Sequence, residues 1–202
     1  MNTNWNFAEY VILLDSAFIR QTIRMMREVM TSRLGRPFPL LDLVAWLDCL
    51  MLDAGLREKD AEVQVLLTHD AGADDLEGCV PSALSQLDGQ ACRTSLAEYA
   101  FYIVGTDGMA DSDDLYCDLL RLTLNDTRIK KRLLVPAMSL SDGRVNELMR
   151  KAQEDMDTRT EDAVGQTIWF RLEAPARELT CDWCPVVPSL AYMWGIREEE
   201  MK

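Results

Sequence analysis

Tyr10-Val-Ile-Leu-Leu-Asp15 is an uninterrupted apolar run that ends on an acid. Such a short run predicts a strand buried on both faces of a sheet. Two later runs have the same form, Val63-Gln-Val-Leu-Leu-Thr-His-Asp70 and Phe101-Tyr-Ile-Val-Gly-Thr-Asp107. We therefore expect three buried strands, each of which brings an aspartate to its carboxyl end.

Helical patterns separate most of the predicted strands. Ser16 can cap a helix that runs to about Leu34, because apolar residues recur there at three- and four-residue spacing. Further helices are predicted over about 40–54, 112–124, 141–155 and 189–194. Further strands are predicted over about 132–136 and 167–172. Residues 71–96 are rich in Gly, Asp, Ser and Ala, and we expect an insertion, a lid or a disordered loop there.

This alternation of strands and helices favours an α/β fold with a mostly parallel, Rossmann-like sheet and helices on both faces. The length of 202 residues suits one domain. We predict an α/β domain over residues 1–160. A C-terminal extension, residues 161–202, is expected to add a strand and a short helix that pack on the same domain.

The net charge of −13 is unevenly distributed along the chain. Residues 70–118 hold eleven acids and a single base, Arg93. Such a surface disfavours RNA as a partner, because phosphate binding depends on Lys and Arg contacts, although basic residues elsewhere leave RNA open. The composition predicts no membrane span and no secretory signal, so we expect a cytoplasmic protein.

The strand-end aspartates have two interpretations. If Asp15 and Asp107 end neighbouring strands, they can supply the carboxylate pair that Mg²⁺ or Mn²⁺ needs, with Asp70, Asp111 and Asp114 as further ligands. The chemistry would then be metal-assisted phosphodiester hydrolysis. Alternatively, these aspartates cap helices and shape turns through local hydrogen bonds.

The same residues carry a family resemblance. Val11-Ile-Leu-Leu-Asp15-Ser-Ala-Phe18 resembles the first strand of NYN domains, a branch of the PIN-like nucleases. Val104-Gly-Thr-Asp107-Gly-Met-Ala-Asp111 is similar to a later Ser-Gly-Asp-x-Asp motif of that family, although here the acids are four positions apart instead of two. The resemblance covers about half of the chain and implies a metal-dependent ribonuclease, with Asp15 and Asp107 as catalytic residues.

Basic and aromatic residues suggest partners. Arg20 and Arg24, on one face of the first helix, can contact the phosphates of a substrate, or they form an ordinary solvated face with Glu28. The C-terminal aromatic residues either close the core or form an interface with a protein partner or a second copy of the chain. These aromatic residues are Trp169, Phe170, Trp183, Tyr192 and Trp194.

Two further motifs have ordinary explanations. Cys181-Asp-Trp-Cys184 has the spacing of half a zinc site or of a redox pair, but packing of the tail is the favoured interpretation. His69 is the single histidine, and we expect it in a turn or on the surface. The sequence thus leaves two functions open: a metal-dependent hydrolase of the ribonuclease type, or a non-enzymatic interaction or regulatory protein.

Overall fold

One seven-stranded sheet forms the centre of the protein. The computed structural model describes residues 6–106, 108, 111–156 and 166–201. The strands are β1 Tyr10–Asp15, β2 Leu41–Asp42, β3 Ala61–His69, β4 Cys79–Val80, β5 Ala91–Arg93, β6 Ala97–Gly105, β7 Lys131–Val135, β8 Gln166–Arg171 and β9 Asp182–Pro185. The helices are α1 Ser16–Leu34, α2 Leu43–Asp53, α3 Ser112–Leu124, α4 Asp142–Met156 and α5 Val187–Met193.

The order of strands across the large sheet is β5-β6-β3-β1-β7-β8-β9. All neighbours are parallel except β5 and β6. Counted by their order along the chain, the six parallel strands lie in the order 3-2-1-4-5-6, which is the doubly wound Rossmann arrangement. The predicted fold class is therefore confirmed.

Local sequence explains where the two best-predicted helices begin. Asp15 caps α1 by accepting the Ala17 N–H at 2.7 Å. Asp111 caps α3 by accepting the Asp114 N–H at 2.8 Å. Gly35 follows α1 in the left-handed conformation, with φ at +65°, which glycine adopts without strain.

Two hydrophobic cores lie on opposite faces of the sheet. Ile12 and Leu14 of β1 contribute to the core under α1, α2 and α5, whereas Val11 and Leu13 contribute to the core under α3 and α4. All six residues of β1 are buried. Alternate residues of one central strand thus support both cores, as the period of two in a strand requires.

The structure differs from the sequence-based expectation in three segments. The helix predicted over about 40–54 begins only at Leu43, because Leu41 and Asp42 form β2. Residues 71–96 contain β4, which pairs with β2, a short 3₁₀ turn at Leu84–Gln86, and the edge strand β5. The C-terminal segment adds β9, where only a tail was expected, so residues 166–201 extend the same sheet by two strands. Strands of two to four residues are too short to show a hydrophobic period.

Among the helices in the described part of the chain, none is both long and apolar enough to cross a membrane.

Candidate functional site

Asp15 occupies the carboxyl end of the central strand. Its side chain is fully buried. One carboxylate oxygen accepts the Ala17 N–H at 2.7 Å, and the other accepts the Thr68 hydroxyl at 2.8 Å. Thr68 is the register partner of Asp15 on β3. The Asp15 side chain is therefore held by two hydrogen bonds, while each of its oxygens keeps a second lone pair.

Two further carboxylates, one after β3 and one in the first turn of α3, act on Asp15 through their charges. Asp70, just after β3, accepts the Ser112 N–H at 3.1 Å. Asp113 lies in the first turn of α3 and accepts the Ser139 hydroxyl at 3.1 Å, from the loop after β7. We call Asp15, Asp70 and Asp113 the acidic cluster.

The charges in the acidic cluster influence one another. Burial raises the pKa of Asp15, and the negative charges of Asp113 and Asp70 raise it further, although the hydrogen bonds from Thr68 and Ala17 oppose this. Burial also raises the pKa of Asp113, with contributions from Asp111 and Asp70. A buried carboxylate whose pKa is raised by neighbouring acids marks a candidate functional site.

Tyr116 of α3 lies close enough to Asp15 to be affected by its charge. Its side chain is buried, and its hydroxyl donates to the Leu13 carbonyl oxygen at 3.1 Å. Burial, together with the charge of Asp15, raises the pKa of the Tyr116 phenol well above its ordinary value. Tyr116 is therefore neutral, and it adds no charge to the acidic cluster.

Asp107, the second predicted catalytic residue and metal ligand, lies outside the described residues. The strand before it is described, and it corrects one expectation. β6 pairs with β3, and β3 lies between β6 and β1, so Asp15 and Asp107 do not follow neighbouring strands. Strand order depends on contacts that are distant in sequence, and the apolar runs alone do not encode it.

The other two predicted ligands, Asp111 and Asp114, are engaged in local contacts. Asp111 is the N-cap of α3, which matches the alternative interpretation of these aspartates as helix caps. Asp114 forms an ion pair with Arg144 of α4. Asp114 thus links α3 to α4 at the surface.

The predicted substrate-binding residues are not brought to the acidic cluster. Arg20 is partly buried and Arg24 is exposed on α1. Arg24 lies beside a surface hollow that Arg27 and Phe38 also line. At 1.5 Å per residue, Arg24 is roughly 13 Å along the helix from Asp15.

His69 points away from Asp15. Neighbouring residues of a strand point to opposite faces, and Thr68 already faces Asp15. The His69 ring packs over Gly105, its register partner, where an added Cβ would lie 2.6 Å from Nε2. Glycine at this position leaves room for the ring, so the local packing explains His69.

Cys181 and Cys184 do not form half of a metal site. Cys184 packs against the core under α1, α2 and α5, whereas Cys181 packs against the opposite core. Three residues of extended chain separate the two positions by about 10 Å. Burial raises the pKa of the Cys181 thiol to about 11, so it stays protonated. The favoured interpretation, packing of the tail, agrees with this placement.

Asp113 is the site residue that the sequence analysis missed. Aspartate is common in a first helical turn, where the helix dipole favours it, so Asp113 carries no distinct signal by itself. A signal was nevertheless present: Asp111-Ser112-Asp113 has the two-residue spacing of acids that Asp107 and Asp111 lack.

The acidic cluster sets a limit on how a metal ion can be held. Among residues 6–106, 108, 111–156 and 166–201, no three His, Cys, Asp or Glu side chains are arranged to hold an ion together. Mg²⁺ commonly takes one or two carboxylates and completes its octahedron with water. A divalent ion at the acidic cluster would therefore have at most two of these carboxylates as ligands, with water completing its octahedron.

The doubly wound sheet and its acid-lined carboxyl edge define an α/β protein of Rossmann-like topology. A family model, described as a family of unknown function (DUF6621), matches residues 4–201. The chain belongs to this family. No curated protein matches the chain, and no solved structure matches it.

Proposed function

We propose that the protein is a metal-dependent phosphodiesterase of the ribonuclease type, with Mg²⁺ or Mn²⁺ at the acidic cluster. One observation carries the proposal: Asp15 is a fully buried carboxylate whose pKa is raised by burial and by two neighbouring carboxylates. In open α/β sheets, ligands bind outside the carboxyl ends of the strands, and Asp15 ends the central one.

Each residue of the acidic cluster has a part in this proposal. Asp15 and Asp113 would hold the ion, and the bonds from Thr68 and Ser139 fix the directions of their carboxylates. Asp70, tied to the start of α3, would orient a water molecule. A divalent ion at such a site supplies Lewis-acid activation of water and phosphate. Asp107 belongs to the proposed set because the nuclease resemblance implies it.

RNA remains the proposed substrate, although the net charge of −13 works against it. A bound divalent cation would offset part of the local negative charge. The cytoplasm remains the proposed location, because all six cysteines are free thiols, as a reducing compartment favours.

A metal titration tests the proposal. Wild-type protein, first treated with EDTA, is heated with increasing Mg²⁺ or Mn²⁺. Ligand at a hundred times its dissociation constant stabilises by about 2.7 kcal/mol, which corresponds to roughly 5–10 °C for a chain of this size. We expect this shift in wild type, together with metal-dependent cleavage of single-stranded RNA.

Asp113→Asn and Asp114→Asn are a matched pair, because the two positions are neighbours in the first turn of α3. Asp15→Asn and Asp113→Asn are expected to lose the shift and the cleavage, whereas Asp114→Asn, which removes a carboxylate paired with Arg144, is expected to keep both. Asp107→Asn is included because of the resemblance. No shift in wild type, or an equal shift in Asp15→Asn, would reject the proposal.

A second function is supported by the C-terminal aromatic residues. Trp169, Phe170 and Trp194 are buried and close the core, but Tyr192 is 76% exposed and Trp183 is 40% exposed on the edge strand β9. Exposed Tyr and Trp are typical of interfaces. The second candidate is therefore a non-enzymatic protein-interaction module or a homodimer.

Sedimentation of wild type and of a Tyr192→Ser, Trp183→Ser double variant checks this alternative. A self-associating protein would sediment as a dimer, and the double variant as a monomer. If wild type sediments as a monomer at about 100 μM, the homodimer hypothesis is rejected.

A further inference from the structure

A cavity of about 390 Å³ opens at the carboxyl ends of β7 and β8, beside the first half of α1. Phe18 in the first turn of α1 forms one wall, and Met138, after β7, forms another. Trp169 and Arg171 line the cavity from β8. This volume lies within the range of small-molecule sites, roughly 300–1,000 Å³.

The position of the cavity coincides with the switch in strand order. From β1 the chain continues to β3 on one side, and from β7 it continues to β8 on the other. Because the two connections diverge, a crevice remains between them at the carboxyl edge, and this is where doubly wound folds bind ligands.

The polar groups of the cavity favour a neutral, flat ligand. Arg171 pairs with both carboxylate oxygens of Asp142, at 2.7 and 3.2 Å, so the two charges compensate each other. Glu173 adds a negative charge to the lining, which disfavours an anion. The Arg171 guanidinium carbon lies 4.4 Å from the centre of the Trp169 ring, so that two planar groups are stacked in the wall.

The apolar walls are adaptable. Met25, Met26 and Met138 all line the cavity, and methionine adjusts its shape to a ligand. Met138 is 55% exposed. A substitution there can therefore fill the cavity without disturbing the core.

We propose that this cavity binds a nucleobase, recognised by the Arg171 guanidinium, which covers the buried Trp169 ring, and by the methionines. The choice of a nucleobase rests on the proposed function. The neighbourhood supports it, because Ser139, which follows Met138, donates to Asp113 of the acidic cluster. The loop after β7 thus runs from the cavity wall at Met138 to a hydrogen bond with the acidic cluster at Ser139.

Titration of the full chain with adenosine and with uridine, followed by ligand-observed NMR in EDTA, tests the proposal. These nucleosides are neutral, so phosphate and metal do not contribute. For ligands of this size we expect dissociation constants of roughly 0.1–1 mM. Ribose, which lacks the base, is the control ligand and is expected not to bind.

Three variants locate the binding. Met138→Trp is expected to weaken nucleoside binding at least about tenfold. Arg171→Lys keeps the positive charge but lacks the planar guanidinium, and it is expected to weaken binding about threefold or more. Leu122→Trp is the matched control, because Leu122 is 45% exposed on α3, away from the cavity; it is expected to bind like wild type.

Absence of saturable binding of both nucleosides up to about 10 mM overturns the proposal, as does equal binding by wild type and Met138→Trp. The nucleobase cavity and the metal-dependent hydrolase can be rejected independently of each other. Asp15→Asn is expected to lose the metal shift and to keep nucleoside binding. Nucleoside binding in a protein without a metal shift would support the cavity and reject the hydrolase.

Discussion

At the scale of single residues, Asp15 combines two roles that are easily confused. It is the N-cap of α1, and it is also a buried carboxylate near two others. Asparagine caps a helix about as well as aspartate does. Asp15→Asn therefore preserves the structural role and removes the charge, which makes it the most informative substitution in the chain.

The pH dependence of stability should show this charge. Because the pKa of Asp15 is raised on folding, the folded protein binds more protons than the unfolded chain between the ordinary carboxyl pKa and the raised one. The free energy of unfolding therefore falls as pH rises through that window. We expect Asp15→Asn to have a shallower decline than wild type, measured by urea unfolding at several pH values from 4 upwards.

An exposed substitution controls for the change in overall charge. Asp74 is exposed, so Asp74→Asn removes one negative charge away from the acidic cluster. If Asp74→Asn and Asp15→Asn change the pH slope equally, the burial of Asp15 is not the cause.

Residue patterns predicted the acids at the sheet edge but not their grouping. Asp15 and Asp70 were identified because apolar runs end on them, a local signal. Asp113 was missed because its role depends on Ser139 and Asp15, which are distant in sequence. Asp114 was assigned as a ligand because nothing in the sequence reveals that Arg144 lies within reach of it.

At the scale of elements, a buried arginine connects α3 to the central sheet. Arg132 of β7 is fully buried, and it donates to the Thr123 carbonyl from Nε at 3.0 Å and from Nη2 at 2.6 Å. It also reaches the Asp126 carbonyl at 3.2 Å. Burial lowers the pKa of Arg132 to about 10, and the carbonyls at the helix end hold the cation in place.

Removal of this connection should be costly. We expect Arg132→Met to lower the free energy of unfolding by about 2 kcal/mol, because buried carbonyl oxygens lose their donors. Arg132→Lys keeps a charge but not the planar guanidinium, so its free energy of unfolding should lie between those of wild type and Arg132→Met. Urea denaturation measures both variants, and a wild-type midpoint for Arg132→Met would contradict this account.

The elements also show where sequence patterns work. α1 and α3 were predicted with their observed bounds, since each has a capping aspartate and a long apolar stripe; the cap of α1 is Asp15, not the predicted Ser16. β2, β4, β5 and β9 were not predicted, because each has four residues or fewer. Their formation depends on the neighbouring strand in the sheet and not on their own composition.

At the scale of the whole molecule, the C-terminal residues complete the sheet. β8 pairs with β7, and its Ile168 and Phe170 belong to one core while Trp169 belongs to the other. Leu190 of α5 is fully buried in the first of these cores. The proposed boundary near residue 160 therefore does not separate independently stable parts.

A truncated chain tests this dependence. We expect residues 1–160 alone to have no cooperative thermal transition and to aggregate, because β7 becomes an open apolar edge. A chain that ends at residue 197 is the control, since the last turn, Glu198–Met201, has no buried residue; its stability should stay within about 1 kcal/mol of wild type. Cooperative unfolding of residues 1–160 would contradict the prediction.

The central place of the first strand has a consequence for synthesis on the ribosome. Leu14 pairs with Leu67 on one side and with Val135 on the other. β3 is made before β7, and β7 emerges only after residues 70–130 have been made. Until then, β1 is paired on one side only, and the nascent chain exposes the open edge of a strand that is apolar on both faces, the kind of edge that chaperones protect. The strand that specifies the fold therefore stays open along one edge until β7 has been made.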